Sequence, residues 1–327
     1  MLRAAPPRRA GSANAAAKLI LLGEHAVVYG HPALAVPLTK PTARAMVRLT
    51  APGRPITVEL EDFGVRWSRG RRASRRTAPF AKIVQAALRE CPSVAPSGWK
   101  LVVRSKIPCG CGLGSGAAVA SAAFRAIFRF FGVRADPRTL SNMVYEIEKL
   151  HHGTPSGIDN TVIAMGRPVL FRKDSGWRFL AAPKRRFSII VGHTGTSHRT
   201  ADVVADVAKA RAAAPAAYDA VFREIGGIAR RGAAAFQKGR FAELGRLMDR
   251  NQTLLERIGV SSPKIDRLVA AARKAGALGA KLSGAGRGGC MAAITDDPAC
   301  ARRVRGALRS AGAPLAVVTE VMDHGAA

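Results

Sequence analysis

Residues 108–118 read Pro108-Cys109-Gly110-Cys111-Gly112-Leu113-Gly114-Ser115-Gly116-Ala117-Ala118 and run on into the small-residue stretch Val119-Ala120-Ser121-Ala122-Ala123. Glycines at alternate positions 110, 112 and 114 let a backbone come close to another group and turn its N–H groups toward one point. The alanine-rich run favours a helix, whose N-terminal end carries partial positive charge. Loop and helix start together make a cradle for an anion and suit the phosphates of a nucleotide. No lysine follows the last glycine and the spacing is not GxGxxG, so neither of the two common phosphate-loop signatures applies. Tight packing of a glycine-rich turn would leave a similar sequence, so the segment does not decide the matter alone.

Three further segments do. KLILLGEHAVVYG occupies residues 18–30, HGTPSGIDNTV occupies 152–162, and GAKLSGAGRGGC occupies 279–290. With the central loop, and in this order, they resemble the motifs of the GHMP kinase family, and the resemblance runs from about residue 13 to about 323. Within that family the wording GEHAVVYGHPALAVPL (23–38), together with LMDRNQTLL (247–255) and IGVS (258–261), is most similar to the mevalonate-phosphorylating branch.

The resemblance implies an α+β, two-domain GHMP kinase fold. A basic tail (1–12) would precede an N-terminal ATP-binding domain of the ribosomal protein S5 domain 2-like kind (13–185) and a ferredoxin-like C-terminal domain (186–327). It further implies ATP-dependent phosphorylation of the 5-hydroxyl of mevalonate, with ATP and Mg²⁺ as cofactors and mevalonate and nucleotide as partners. Homoserine, phosphomevalonate or a sugar are the alternative substrates within the family, and a catalytically weak binding homologue is the alternative outside enzymology.

Phosphoryl transfer to an alcohol needs a phosphate cradle, charge neutralisation, a proton acceptor and positioning. By resemblance, Asp159 in the Pro155–Asn160 turn is the proton acceptor, and Lys18 lowers the pKa of Asp159 and of the attacked hydroxyl. Glu148, eleven residues before Asp159, is the Mg²⁺ ligand, with Glu146 as the competing choice. Ser105, Pro108, Gly110, Cys111, Gly112, Leu113, Gly114, Ser115, Gly116 and Ala117 would contact the nucleotide, while Glu24, His25 and Ser283 would line the substrate pocket. The sequence departs from the family in three places. Gly116 stands where a second serine usually supplies a hydroxyl to Mg²⁺, so Ser115 or water substitutes or the metal is held more weakly; Arg287 interrupts the last glycine run; and Asn14–Ala17 lack the usual proline.

At 327 residues the chain is long enough for two domains, and 48% apolar residues argue against global disorder. No apolar run is long enough to span a bilayer, and the basic start lacks the apolar stretch of a secretory signal. Five cysteines without a disulfide framework suit a reducing compartment, which reads as cytoplasmic. Cys109 and Cys111 have no second Cys or His pair at metal spacing, which speaks against zinc. A net charge of +30 would draw in anionic substrates. Aromatics for base stacking are only 6% and no nucleic-acid motif accompanies the charge, so specific nucleic-acid binding is not expected. The sequence leaves the oligomeric state open, a homodimer included.

Periodicity predicts strands at 17–22, 33–38, 45–49, 56–60 and 99–105, then helices at 80–88 and 115–131. Asp136-Pro137 opens a further helix ending near residues 151–153. Strands follow at 169–171 and 187–191, then helices to Gly276, and last strands at 290–294 and 315–319. Residues 64–77 read as an exposed basic loop.

Overall fold

A computed structural model of the chain describes residues 10–91, 98–152, 155–196 and 198–321. The chain forms two compact units that share it in alternation: residues 1–17, 42–107 and 114–165 in the first, and 18–41, 108–113 and 166–327 in the second.

In the first unit β3 (Thr57–Leu60) pairs antiparallel with β4 (Val65–Ser68) and parallel with β5 (Trp99–Ser105). β5 in turn pairs antiparallel with the second half of β2 (Ala33–Leu49), from Ala43 opposite Ser105 to Leu49 opposite Trp99. Among the described residues the helices of this unit are α1 (Ala78–Glu90), α2 (Ser115–Phe131), α3 (Pro137–His152) and α4 (Ile158–Met165), which pack on one another. The aromatic stripe of α2 is core. Phe124 and Phe130 are fully buried, and the buried Trp99 indole of β5 lies 6.3 Å from Phe130 and 6.2 Å from Phe131. α2 stops at Gly132 (φ 70°), where the Val133 N–H returns to the Phe128 carbonyl at 2.8 Å. α3 starts as its Asp-Pro signal predicts, with Asp136 Oδ1 accepting from the N–H groups of Arg138 (2.8 Å) and Thr139 (3.2 Å).

In the second unit the first residues of β2 pair with β6 (Val169–Arg172), which forms a hairpin with β7 (Gly176–Phe179). A separate antiparallel sheet contains β8 (Ser188–His193), β9 (Gly279–Ser283), β10 (Cys290–Thr295) and β11 (Leu315–Thr319), in the order β11-β8-β10-β9. Helices α5 (Thr200–Ala213), α6 (Pro215–Gln237), α7 (Phe241–Arg257) and α8 (Pro263–Lys274) connect β8 to β9, and α9 (Pro298–Ser310) connects β10 to β11. This connectivity and strand order are those of the expected ferredoxin-like domain.

Three expectations need correction. β1 runs from Ala10 to Leu22, so residues 10–12 belong to a strand and not to a tail. Gly11 is the reason: a Cβ there would stand 2.5 Å from the Ala126 carbonyl oxygen and 2.6 Å from the Phe130 nitrogen, so only a bare backbone fits against α2. The rest of the expected tail, residues 1–9, lies outside the described residues, as does Gly153 at the expected end of α3. The basic stretch 64–77 contains β4, and 279–283, to which the periodicity assigns no strand, is β9.

The second unit depends on one close backbone crossing. A Cβ on Gly245 of α7 would lie 2.1 Å from the Leu278 carbonyl oxygen, and one on Gly279 of β9 would lie 2.1 Å from the Gly245 carbonyl oxygen. Gly227 in α6, by contrast, has open space around it. Gly245→Ala should therefore cost about 3 kcal/mol of stability in urea unfolding, whereas Gly227→Ala should gain about 0.5–1 kcal/mol from helix propensity. Equal effects would contradict the crossing.

Candidate active site

The alternating glycines of the central loop have left-handed backbones. Gly110, Gly112 and Gly114 have φ of 69°, 76° and 70°. A Cβ on Gly112 would lie 3.0 Å from Gly284 Cα, so the loop rests backbone to backbone on the glycine run that follows β9. The Lys18 N–H donates to the Leu113 carbonyl at 3.0 Å, tying β1 to the same loop. Cys111 is buried, and its Sγ–H donates to the Pro108 carbonyl at 3.0 Å. A hydrogen bond from the Cys290 thiol holds the Cys111 pKa below the usual thiol value, with the Lys18 charge adding to the effect. The same bond, and burial, raise the Cys290 pKa well above it. Cys109 is exposed, and no cluster of metal-ligating side chains occurs among the described residues.

Glu24 and His25 lie on the turn after β1, buried against the third glycine segment. His25 has φ 61°, a left-handed conformation uncommon for its residue type. Its Nε2 lies 2.8 Å from the Ala285 carbonyl oxygen, which can only accept, so Nε2 carries the proton. Burial lowers the His25 pKa to about 4, and the imidazole is neutral at physiological pH. Glu24 meets Lys281 of β9 in a fully buried ion pair, and the Lys281 ammonium also donates to the Leu282 carbonyl. Burial pushes the Glu24 pKa up and the Lys281 pKa down, and their mutual attraction opposes both shifts. The Ser283 hydroxyl donates to the Ile20 carbonyl at 3.0 Å, which leaves its oxygen as an acceptor only. Arg287 pairs with Asp206 of α5.

In the first unit Gly114 caps α2, so Ser115, Gly116 and Ala117 form its first turn. The Ser115 hydroxyl donates to the Ile107 carbonyl at 3.4 Å. Ser105 Oγ accepts from the Ile107 N–H at 3.3 Å, and the Ser105 N–H donates to Asp62 at 2.5 Å. Glu148 is buried on α3. Glu146 is half exposed and taken up by Lys82 (3.3 Å) and Lys149 (2.5 Å), as a solvated charge would be. Asp159 stands in the first turn of α4, where the helix end favours a carboxylate. Its neighbour Asn160 donates to the Ser141 carbonyl (3.2 Å) and hydroxyl (2.9 Å), locking α4 onto α3.

These residues fit a nucleotide and a hard cation chemically. Residues 105–118 contain no acidic side chain to repel phosphate, and Glu148 and Ser115 offer the oxygen donors that Mg²⁺ takes. Sequence reasoning missed Lys281, Asn251 and Gln252. Asn251 accepts from the Gly23 N–H at 3.2 Å and Gln252 from the Leu282 N–H at 2.8 Å. The available signal was a lysine set between Ala280 and Leu282 in an otherwise apolar segment.

Comparison with known proteins addresses the identity. The model of the GHMP kinase N-terminal domain matches residues 79–167 and that of the GHMP kinase C-terminal domain matches residues 233–314. The mevalonate kinase of Thermococcus sibiricus is 34% identical over 330 residues, covering 96% of each chain. The mevalonate kinase of Pyrococcus furiosus shows the same identity and coverage. The crystal structure of L. major mevalonate kinase in complex with R-mevalonate superposes with a TM-score of 0.85 at 26% identity, covering 98% of this chain and 99% of that one. Its α+β architecture, the two matched domain models and a third of its residues shared with full-length relatives make this chain a member of the GHMP kinase family.

Proposed function

We propose that the protein is an ATP-dependent mevalonate kinase, forming 5-phosphomevalonate and ADP. The observation that carries this reading is 34% identity to relatives named mevalonate kinase across 96% of both chains. The domain organisation that goes with it is an ATP-binding domain over 13–185 and a C-terminal domain over 186–327, and the two family-model matches fall on either side of that division. We infer a cytoplasmic location. Five free cysteines support a reducing compartment, and among the described residues no helix is long and apolar enough to cross a membrane.

In this reading the backbone N–H groups of residues 110–117 receive the ATP phosphates, helped by the dipole of α2. Asp159 accepts the proton of the mevalonate 5-hydroxyl as its oxygen attacks the terminal phosphorus, and the bond to the ADP oxygen breaks. Lys18 stabilises the developing alkoxide. Glu24, His25 and Ser283 shape the substrate side, with neutral His25 offering Nδ1 as an acceptor. Glu148 and Ser115 would hold Mg²⁺. That ion, when bound, neutralises charge on the phosphates.

Purified protein with mevalonate, ATP and Mg²⁺ should yield 5-phosphomevalonate by phosphorus NMR, and a panel of homoserine, phosphomevalonate and galactose should react far more slowly. Asp159→Asn should lower kcat by at least about a thousandfold while nucleotide affinity holds; an active variant removes the assignment. Gly116→Ser should reduce the Mg²⁺ concentration giving half-maximal rate. An unchanged requirement would mean that Ser115 or water already supplies the ligand.

His25 adds a pH dependence. The unfolded chain takes up a proton near pH 6.5 that the folded chain refuses until about pH 4. Stability contributed by keeping His25 neutral is therefore present above pH 6.5 and is lost on acidification, by up to about 3 kcal/mol. His25→Asn should flatten that part of the curve in urea unfolding between pH 6.5 and 4. An unchanged slope would contradict the burial of a neutral imidazole.

A further inference from the structure

The basic run Arg66–Arg76 lies outside the residues assigned above to phosphoryl transfer and is built into a defined place in the first unit. β4 pairs with β3 so that Arg66 lies opposite Glu59 and Trp67 opposite Val58. The chain then folds back on itself. The Arg71 N–H donates to the Ser68 carbonyl at 3.1 Å, and the Trp67 indole N–H donates to the Arg71 carbonyl at 3.3 Å. Ser74 and Thr77 close the loop, the Ser74 N–H donating to the Thr77 hydroxyl at 2.9 Å. The result is a cavity of about 460 Å³ whose lining includes Arg66, Arg71, Arg72 and Lys100.

Four cations meet a single carboxylate there. Glu59 is nearly buried and bonded to both Arg66 (2.5 Å) and Lys100, whose hydrogen bonds hold its pKa below the usual carboxylate value. One carboxylate cannot neutralise the four. Arg71 and Arg72 have no acidic partner among the described residues, so two guanidinium forks at the cavity wall have their donors free. Forked guanidinium groups match phosphate oxygens two at a time. The volume lies in the range of small-molecule pockets, roughly 300–1,000 Å³. A groove that tracks single-stranded nucleic acid would need successive aromatic platforms, and this cavity has one indole.

We infer that this cavity is a second anion site, which binds a small polyphosphate chain through Arg71 and Arg72 with Arg66 and Lys100 completing the charge. The site is separate in sequence from the glycine loop, and its test reads binding, so it stands or falls independently of the kinase assignment.

The probe is inorganic tripolyphosphate, titrated calorimetrically at moderate salt into the full chain already saturated with a non-hydrolysable ATP analogue. One equivalent should bind wild type. Arg71→Ala/Arg72→Ala should weaken that binding at least about tenfold, with kcat and KM of phosphoryl transfer unchanged. Both side chains are exposed, so the fold should tolerate their loss. Arg302→Ala/Arg305→Ala on the surface of α9 removes the same charge elsewhere and should keep wild-type affinity. No binding to wild type, or equal weakening in the two double variants, would overturn the inference. So would a single-stranded oligonucleotide that binds more tightly than tripolyphosphate and displaces it, since that would make the surface a nucleic-acid contact.

Discussion

The buried ion pair between Glu24 and Lys281 is the constraint around which the turn after β1 and the third glycine segment are arranged. Both side chains are shielded from solvent. Taking two charges out of water costs several kcal/mol each, and only close mutual contact with further hydrogen bonds offsets that cost. The partners sit 257 residues apart, so their meeting fixes the turn after β1 against the middle of β9. Around them, Gly23 bonds to Asn251, His25 to Ala285, Ser283 to Ile20 and Leu282 to Gln252. The left-handed backbone at His25 persists because this network leaves it no alternative.

The glycine cradle answers a different demand. The loop has no lysine of its own and rests backbone to backbone on the third glycine segment, which requires bare glycine where Gly112 meets Gly284. Lys18, whose backbone is bonded to Leu113 of the same loop, adds a positive charge that helps to lower the Cys111 pKa. The Cys111–Cys290 contact fixes the loop without placing an acidic group beside it, since burial and the shared hydrogen bond keep Cys290 protonated. The same economy appears at Glu148, which is buried, while Glu146 two residues away is spent on surface lysines.

Much of this was legible in the sequence where the signal is local. β5 at 99–105 and α2 at 115–131 have the predicted limits, because alternation in one and a continuous apolar stripe in the other are undisturbed. The glycine loop was legible as a close backbone approach from its spacing, and its three glycines are left-handed. Other elements were hidden by what their partners supply. β9 carries a lysine and is followed by glycines, so it reads as a loop until Glu24 neutralises the charge and β10 completes the ladder. β4 and β7 place arginine next to tryptophan (Arg66 and Trp67, Trp177 and Arg178), and only pairing with β3 and β6 makes strands of them. Ala10–Ser12 resembled a tail because the reason for order, the Gly11 contact with α2, lies more than a hundred residues away.

A double-mutant cycle on the Glu24–Lys281 pair tests this account most directly, with Glu24→Gln, Lys281→Met and the combined variant compared by urea unfolding. Each single substitution strands the partner's charge and should cost about 3–5 kcal/mol, while the combined variant should cost much less than the sum, giving a coupling of at least about 2 kcal/mol. Additive losses, or single variants as stable as wild type, would show that the pair does not hold the site together.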